Sequence, residues 1–148
     1  IWQTKPFSSR EEEAYLNLGR TFEFLQARVA GLLKQYELTP VQYNMLRILR
    51  GADSEGITCK QACERMLSPD PDITRLLDRM EARKWLRRER SPEDRRVVMT
   101  WITPEGLDLV NRIDQPLADL LRNMMGFIGQ IRLRELIETL EALRANPA

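Results

Sequence analysis

Apolar residues near the start of the chain recur at alternating steps of three and four: Tyr15, Leu18, Phe22, Leu25, Val29, Leu32 and Tyr36. That spacing sets them on one seam of a long helix, with Glu11, Glu13, Arg20 and Lys34 off the seam. Ser9 followed by Glu12 has capping-box spacing, so the pattern predicts a helix over 9–36. Thr39, Pro40 and Gln42 write a second start, as cap, first-turn proline and closing side chain. This helix turns Val41, Met45, Leu46, Ile48 and Leu49 inward and stops near Gly51. After the polar turn at Asp53, Ser54, Glu55 and Gly56, Ile57 predicts a short strand. Thr58 with Gln61 then caps a short helix ending near Leu67.

Ser68-Pro69-Asp70-Pro71 reads as a turn, because two prolines this close remove two donors and push Ser68 and Asp70 away from helical angles. Pro71 suits the first position of a helix capped by Asp70. In that helix Ile73, Leu76, Leu77 and Met80 form one buried face, while Asp72, Arg75, Asp78, Arg79 and Arg83 point elsewhere. Two short helices across a tight turn, the second with a polar cationic face, predict a helix-turn-helix. Trp85 to Arg90 and Arg96 to Ile102 are rich in β-branched and aromatic residues around a turn at Ser91-Pro92-Glu93-Asp94-Arg95, which predicts a hairpin wing. Thr103-Pro104 opens another long helix carrying Val110, Ile113, Leu117, Leu120, Met124 and Phe127. Beyond Gly126 and Gly129, a last helix carries Leu133, Leu136, Leu140 and Leu143.

The expected fold is therefore mainly α with a small β-hairpin wing, one domain over 1–148. A winged helix-turn-helix over 38–102 is flanked by helices over 9–36 and 104–145. The flanking seams are longer than such a unit alone would cover, and an uncovered seam of that size is an interaction surface. Tyr15, Leu18, Phe22, Leu133, Leu136 and Leu140 are its expected dimerisation residues.

Charge changes the picture only when it is located. The 148 residues carry 23 basic and 22 acidic side chains, net +1. Between Arg75 and Arg96, however, nine basic residues face five acidic ones, a local +4 that leaves −3 for the rest. Such asymmetry points to a segment that binds a polyanion. The chain has no histidine, which removes Ser-His-Asp and Cys-His nucleophilic sites, HExxH zinc sites and imidazole proton shuttles. No catalytic constellation converges among the remaining side chains, and neither a metal nor a cofactor is expected. The uncharged run from Asn123 to Ile131 is nine residues, against the roughly 20 a membrane-spanning helix needs, so no membrane partner is expected. Residues Ile1 to Arg10 carry no apolar run of the kind a secretory signal has. Two cysteines, Cys59 and Cys63, fit a reducing compartment, and the expected location is the cytoplasm. Four apart on a helix, they admit a redox or thiolate-metal reading, although small buried structural residues are the simpler one.

Four strings carry a family likeness: Leu38-Thr39-Pro40-Val41-Gln42-Tyr43, Ile73 to Glu81, Arg88 to Arg96, and Ile102-Thr103-Pro104-Glu105-Gly106. Together they resemble the MarR family of winged helix-turn-helix transcriptional regulators, from about Glu11 to the C-terminus. Asp94-x-Arg96 followed by Ile102-Thr103 and Gly106 is the most specific part. The resemblance implies a homodimer, expected to be a repressor, that reads a pseudo-palindromic operator in double-stranded DNA. Recognition helices would enter successive major grooves and wings the adjacent minor grooves. Its wing aspartate falls on Asp94 and its minor-groove arginine on Arg96. Its recognition-helix contacts fall on Pro71 to Arg75 and on Arg79, where Arg75 suits guanine and Asp72 suits cytosine N4 or the helix N-terminus. Ser68, Asp72, Thr74, Arg75, Arg79, Arg88, Arg90, Asp94, Arg95 and Arg96 form the candidate DNA-binding set. Two positions depart from the family pattern: Pro71 stands where a small hydroxyl residue is usual, and Lys84 where a glycine is common. The resemblance also implies a small aromatic or anionic effector between the dimerisation helices and the DNA-binding lobe. Met124, Met125, Tyr15, Phe22 and Tyr36 are read as core or dimer seam before ligand pocket. A second reading, kept open by Asp70 and Asp72, is a winged-helix adaptor that binds a protein partner without sequence-specific DNA binding.

Overall fold

The computed structural model describes residues 5–67, 72–91, 94 and 96–146 of the chain. Among them the elements run α1 (Arg10–Lys34), α2 (Pro40–Arg50), β1 (Ile57–Thr58), α3 (Cys59–Glu64), α4 (Ile73–Ala82), β2 (Leu86–Arg90), β3 (Val98–Ile102), α5 (Pro104–Met125) and α6 (Gln130–Ala145). The fold is mainly helical with one small antiparallel sheet, ordered β1-β3-β2. Ile57 stands opposite Thr100, and the hairpin pairs Leu86 with Ile102, Arg88 with Thr100 and Arg90 with Val98. No helix is long and apolar enough among the described residues to cross a membrane.

The predicted caps form at four helix starts. Ser9, Thr39, Thr58 and Thr103 each accept from the amide three residues on, and Thr39/Gln42 and Thr58/Gln61 are complete capping boxes. Helix α4 differs from expectation. It opens at Ile73 with Asp72 in the cap position and no side-chain cap bond, because the Asp72 carboxylate lies 3.2 Å from the Arg75 guanidinium instead. The cap and first position expected at Asp70 and Pro71 lie outside the described residues. Helix α3 ends at Glu64 rather than near Leu67, whose amide donates to Asn44 Oδ1 of α2 at 2.9 Å.

Trp85 is not part of β2. Helix α4 closes in a Schellman turn, with the Trp85 amide donating to Met80 O at 3.0 Å and the Lys84 amide to Glu81 O at 2.8 Å. That turn holds Lys84 at φ 60°, left-handed backbone in which a side chain is unfavourable by about 1–2 kcal/mol. The strand can start only after it. The position where the resemblance expects glycine thus has a glycine-favouring backbone and a lysine in it.

One core joins the helix-turn-helix to its flanks: Leu33 of α1, Met45, Leu46 and Leu49 of α2, Leu76 and Met80 of α4, and Val110 and Ile113 of α5 are buried together. Leu33 is off the predicted seam of α1, and only the lower part of that seam, Leu25 to Tyr36, is half-buried. Above it Tyr15 is 75% exposed and Phe22 53% exposed, while Leu18 is also exposed. Helix α6 has no buried residue; Leu133, Leu136 and Leu140 are half-covered along one side, and Phe127 before them is 86% exposed. The expected seams therefore exist, and one copy of the chain leaves them largely open.

Candidate nucleic-acid interface

Helix α4 buries Leu76, Leu77 and Met80 and turns Thr74, Arg75, Asp78 and Arg79 to solvent. Arg75 shares its charge with Asp72, but both side chains are at least half exposed, so that pair is readily opened. No ion pair engages Arg79 among the described residues. The exposed face is thus a short cationic surface offering a hydroxyl and two guanidinium groups, the donors suited to base edges and phosphate oxygens.

Arg88 supplies the polar links between the wing and this helix, beside the burial of Leu86 with Leu76 and Met80 in one core. Arg88 of β2 donates through its backbone amide to Glu81 Oε1 at 2.9 Å. Its Nε and Nη2 reach Glu81 Oε2 at 3.1 and 2.6 Å, and Nη2 also reaches Asp78 Oδ1 at 2.5 Å. The two carboxylates hold its guanidinium charged more firmly than usual despite partial burial. With 19% of its side chain exposed, Arg88 joins the wing to α4 rather than facing outward with the other candidates. Strand alternation then places Arg90, two residues on, along the same side of β2 as α4. Arg87 and Trp101 pair across the opposite face, guanidinium 4.1 Å from the ring centroid.

At the wing's return, the Arg96 amide donates to Asp94 Oδ1 at 2.9 Å and the Val97 amide to Asp94 O at 2.9 Å. Asp94 therefore shapes the turn through the backbone, and Arg96 and Arg90 stand exposed. Ser68 and Arg95 lie outside the described residues.

Comparison with known proteins follows the same layout. The model of the MarR family matches residues 36–97. The solved structure of a MarR transcription factor from Planctomyces limnophilus is 38% identical, with a TM-score of 0.71 over 93% of this chain and 99% of that one. The chain belongs to the MarR family. The HTH-type transcriptional regulator MhqR of Bacillus subtilis is 24% identical over 89% of this chain and 90% of its own length. The structure of an S. aureus MepR–DNA complex shares the fold, with a TM-score of 0.77 at 18% identity over 89% of this chain and 96% of that one.

As a MarR-family member the protein is a DNA-binding transcriptional regulator, and two strings behind the likeness acquire a physical meaning. Thr103 caps α5 while its hydroxyl donates to Lys84 O and its amide donates to Trp85 O at 3.1 Å. Gly106 lies so near this turn that a β-carbon there would stand 2.1 Å from Trp85 O, so the string Ile102 to Gly106 is the joint between wing and α5. Thr39 to Gln42 is the capping box of α2.

The regulator also contains a cavity of about 200 Å³ between α1, α2 and α5. Val29, Leu33, Val41, Leu117 and Leu121 give it apolar walls, and Gln26, Asn44 and Arg47 bring polar groups. Sequence reasoning placed an effector in this region only through the resemblance. It missed Arg47 and Asn44, whose positions on the polar side of α2 carry no distinguishing pattern. It missed Asp78 and Glu81 as partners of Arg88 as well, because that pairing depends on how the hairpin packs against α4.

Proposed function

We propose that the chain is a homodimeric repressor that reads a pseudo-palindromic operator, with α4 in the major groove and the wing in the adjacent minor groove. The observation that carries this reading is the Arg88 bridge, which makes one rigid cationic unit of Thr74, Arg75 and Arg79 on α4 and Arg90 and Arg96 in the wing. The DNA complex of MepR, a protein of the same fold, supports it. Arg75 leaves Asp72 to reach a base, at the small cost of breaking an exposed pair. The open seams of α1 and α6, with Tyr15, Leu18, Phe22, Leu133, Leu136 and Leu140, supply the contact between the two copies. The reading assigns the chain no catalytic step and places it with DNA in the cytoplasm.

Release follows if a ligand binds better to a dimer whose α4 spacing mismatches the operator. The cavity between α1, α2 and α5 suits a small aromatic anion, with apolar walls for a ring and Arg47 for a carboxylate.

Selection of genomic fragments by the purified protein, followed by footprinting, tests the DNA reading. Two protected half-sites about one helical turn apart are expected. With about 6–10 phosphate contacts, affinity should fall ~10³–10⁵-fold between 50 and 200 mM salt. Binding without salt dependence, or at no preferred sequence, returns the chain to the adaptor class. Titration of the complex with benzoate-type acids, for the protein and for Arg47→Gln, tests the cavity; dissociation only of the unsubstituted complex is expected.

A further inference from the structure

Helices α1 and α5 both meet the C-terminus of α4 at one point. Helix α1 ends in its own Schellman turn, where the Leu38 amide donates to Leu33 O and the Glu37 amide to Lys34 O, each at 3.1 Å. Glu37 takes the left-handed position at φ 55°, as Lys84 does at the end of α4 at φ 60°. Arg83, the C-cap of α4, spans the two turns. Its Nη2 lies 3.3 Å from Glu37 Oε2, its Nη1 donates to Glu37 O at 3.3 Å, and its guanidinium sits 4.9 Å from the Trp85 ring centroid. From the other side, α5 grips the same turn through Thr103.

This arrangement is more specific than a surface ion pair needs to be. A guanidinium held by a carboxylate, a carbonyl and an aromatic face has one orientation, and the carbonyl it takes is fixed in turn by a left-handed residue. Leu33, which accepts the closing bond of the α1 turn, also lines the cavity between α1, α2 and α5. Movement at that wall thus reaches Glu37 through one hydrogen-bonded turn.

We propose that Glu37 and Arg83 are positioning residues that couple the tilt of α1 to the pose of the recognition helix, and that Arg83 does not itself contact DNA. The proposal rests on α4 being that recognition helix. Its sign separates it from the simple alternative in which Arg83 is a phosphate contact. If Glu37 merely occupied a DNA-binding arginine, removing its charge would free that arginine and strengthen binding. If Glu37 positions α4 through Arg83, removing the charge weakens binding.

The test is operator affinity as a function of salt for the full-length dimer, its Glu37→Gln and Arg83→Gln variants, the double variant, and the exchanged pair Glu37→Arg with Arg83→Glu. Each single variant should bind roughly 3–30-fold more weakly with an unchanged salt slope. The double variant should be no worse than either single one, and the exchanged pair, which restores the charge pair but neither the donation to the residue-37 carbonyl nor the contact with the Trp85 ring, should recover part of the loss. Because the pair is largely exposed, melting temperatures should stay near that of the parent, which separates positioning from misfolding. A tighter-binding Glu37→Gln, or a slope reduced by about one in Arg83→Gln, would overturn the proposal and make Arg83 a phosphate contact. If the unsubstituted protein retains no DNA fragment, the regulatory reading fails first and takes the coupling with it.

Discussion

Arg88 is held by Glu81 through three donors, its backbone amide at 2.9 Å, Nε at 3.1 Å and Nη2 at 2.6 Å, so the first strand of the wing is tied to α4 by a multidentate polar bridge. The same bridge therefore sets the relative placement of the α4 face and the wing, the two surfaces that the proposed reading sends to different grooves.

Replacing Arg88 by glutamine removes the charge from this bridge while leaving Glu81 and Asp78 facing each other. Stability should fall by about 1–3 kcal/mol, discounted from a fully buried pair because Asp78 and Glu81 keep substantial exposure. Operator affinity should fall too, but with the salt slope unchanged, since no phosphate contact is lost. Chemical denaturation and a salt series of binding isotherms measure the two effects. A lowered slope at unchanged stability would place Arg88 on the DNA instead.

Asp94 and Arg96 should separate the other way. Arg96 is exposed and its amide, not its guanidinium, is what Asp94 holds. Arg96→Gln should leave the melting temperature unchanged and lower the salt slope by about one. Asp94→Ala removes the acceptor that shapes the turn, so affinity should drop with the slope retained, while Asp94→Asn keeps an acceptor oxygen and should behave more mildly. Equal losses for the alanine and asparagine variants would mean that the charge, not the turn, matters.

Lys84 and Gly106 sit on either side of the joint between wing and α5 and should respond oppositely. Lys84→Gly relieves a left-handed side chain at the cost of greater freedom in the unfolded chain, a net gain of about 0.5–1 kcal/mol. In a chain of this length that raises the melting temperature by about 1–4 °C. Gly106→Ala drives a β-carbon into Trp85 O, a backbone atom that cannot swing aside, and should cost about 3 kcal/mol. Thermal melts of both variants decide this; a destabilised Lys84→Gly would show that the lysine side chain makes a compensating contact.

These cases also show what was legible in the sequence. Caps at Ser9, Thr39, Thr58 and Thr103 were readable because a cap is a local bargain among residues three apart. The α4 face and the hairpin followed from period alone. What could not be read from period were relations across turns: Leu33 packs inward off the seam of α1, Trp85 falls out of the strand because the α4 turn ends there, and the candidate Arg88 folds back onto Glu81 and Asp78. Each depends on how two elements meet, and binary pattern specifies an element's face but not its neighbour's.

The two thiols should prove unequal to any shared redox chemistry. Burial, with the neighbouring Cys59 adding to it, pushes the Cys63 thiol above its ordinary range, so at neutral pH it holds its proton and alkylates slowly. Because the folded thiol binds its proton more tightly than the unfolded one, this contribution to stability is complete below the unfolded value. It is lost as pH rises beyond about 8.5 and through the raised folded value, so stability should decline on the alkaline side and be flat near neutrality. Cys59 does different work: its Sγ lies 3.3 Å from the hydroxyl of Thr100, which is fully buried. Cys59→Ala leaves that hydroxyl unpaired and should cost about 1–3 kcal/mol, whereas Cys59→Ser keeps a partner and should cost less. Operator binding by Cys63→Ala should match the parent before and after peroxide treatment. Loss of binding by the parent alone on oxidation would restore a sensing role to Cys63.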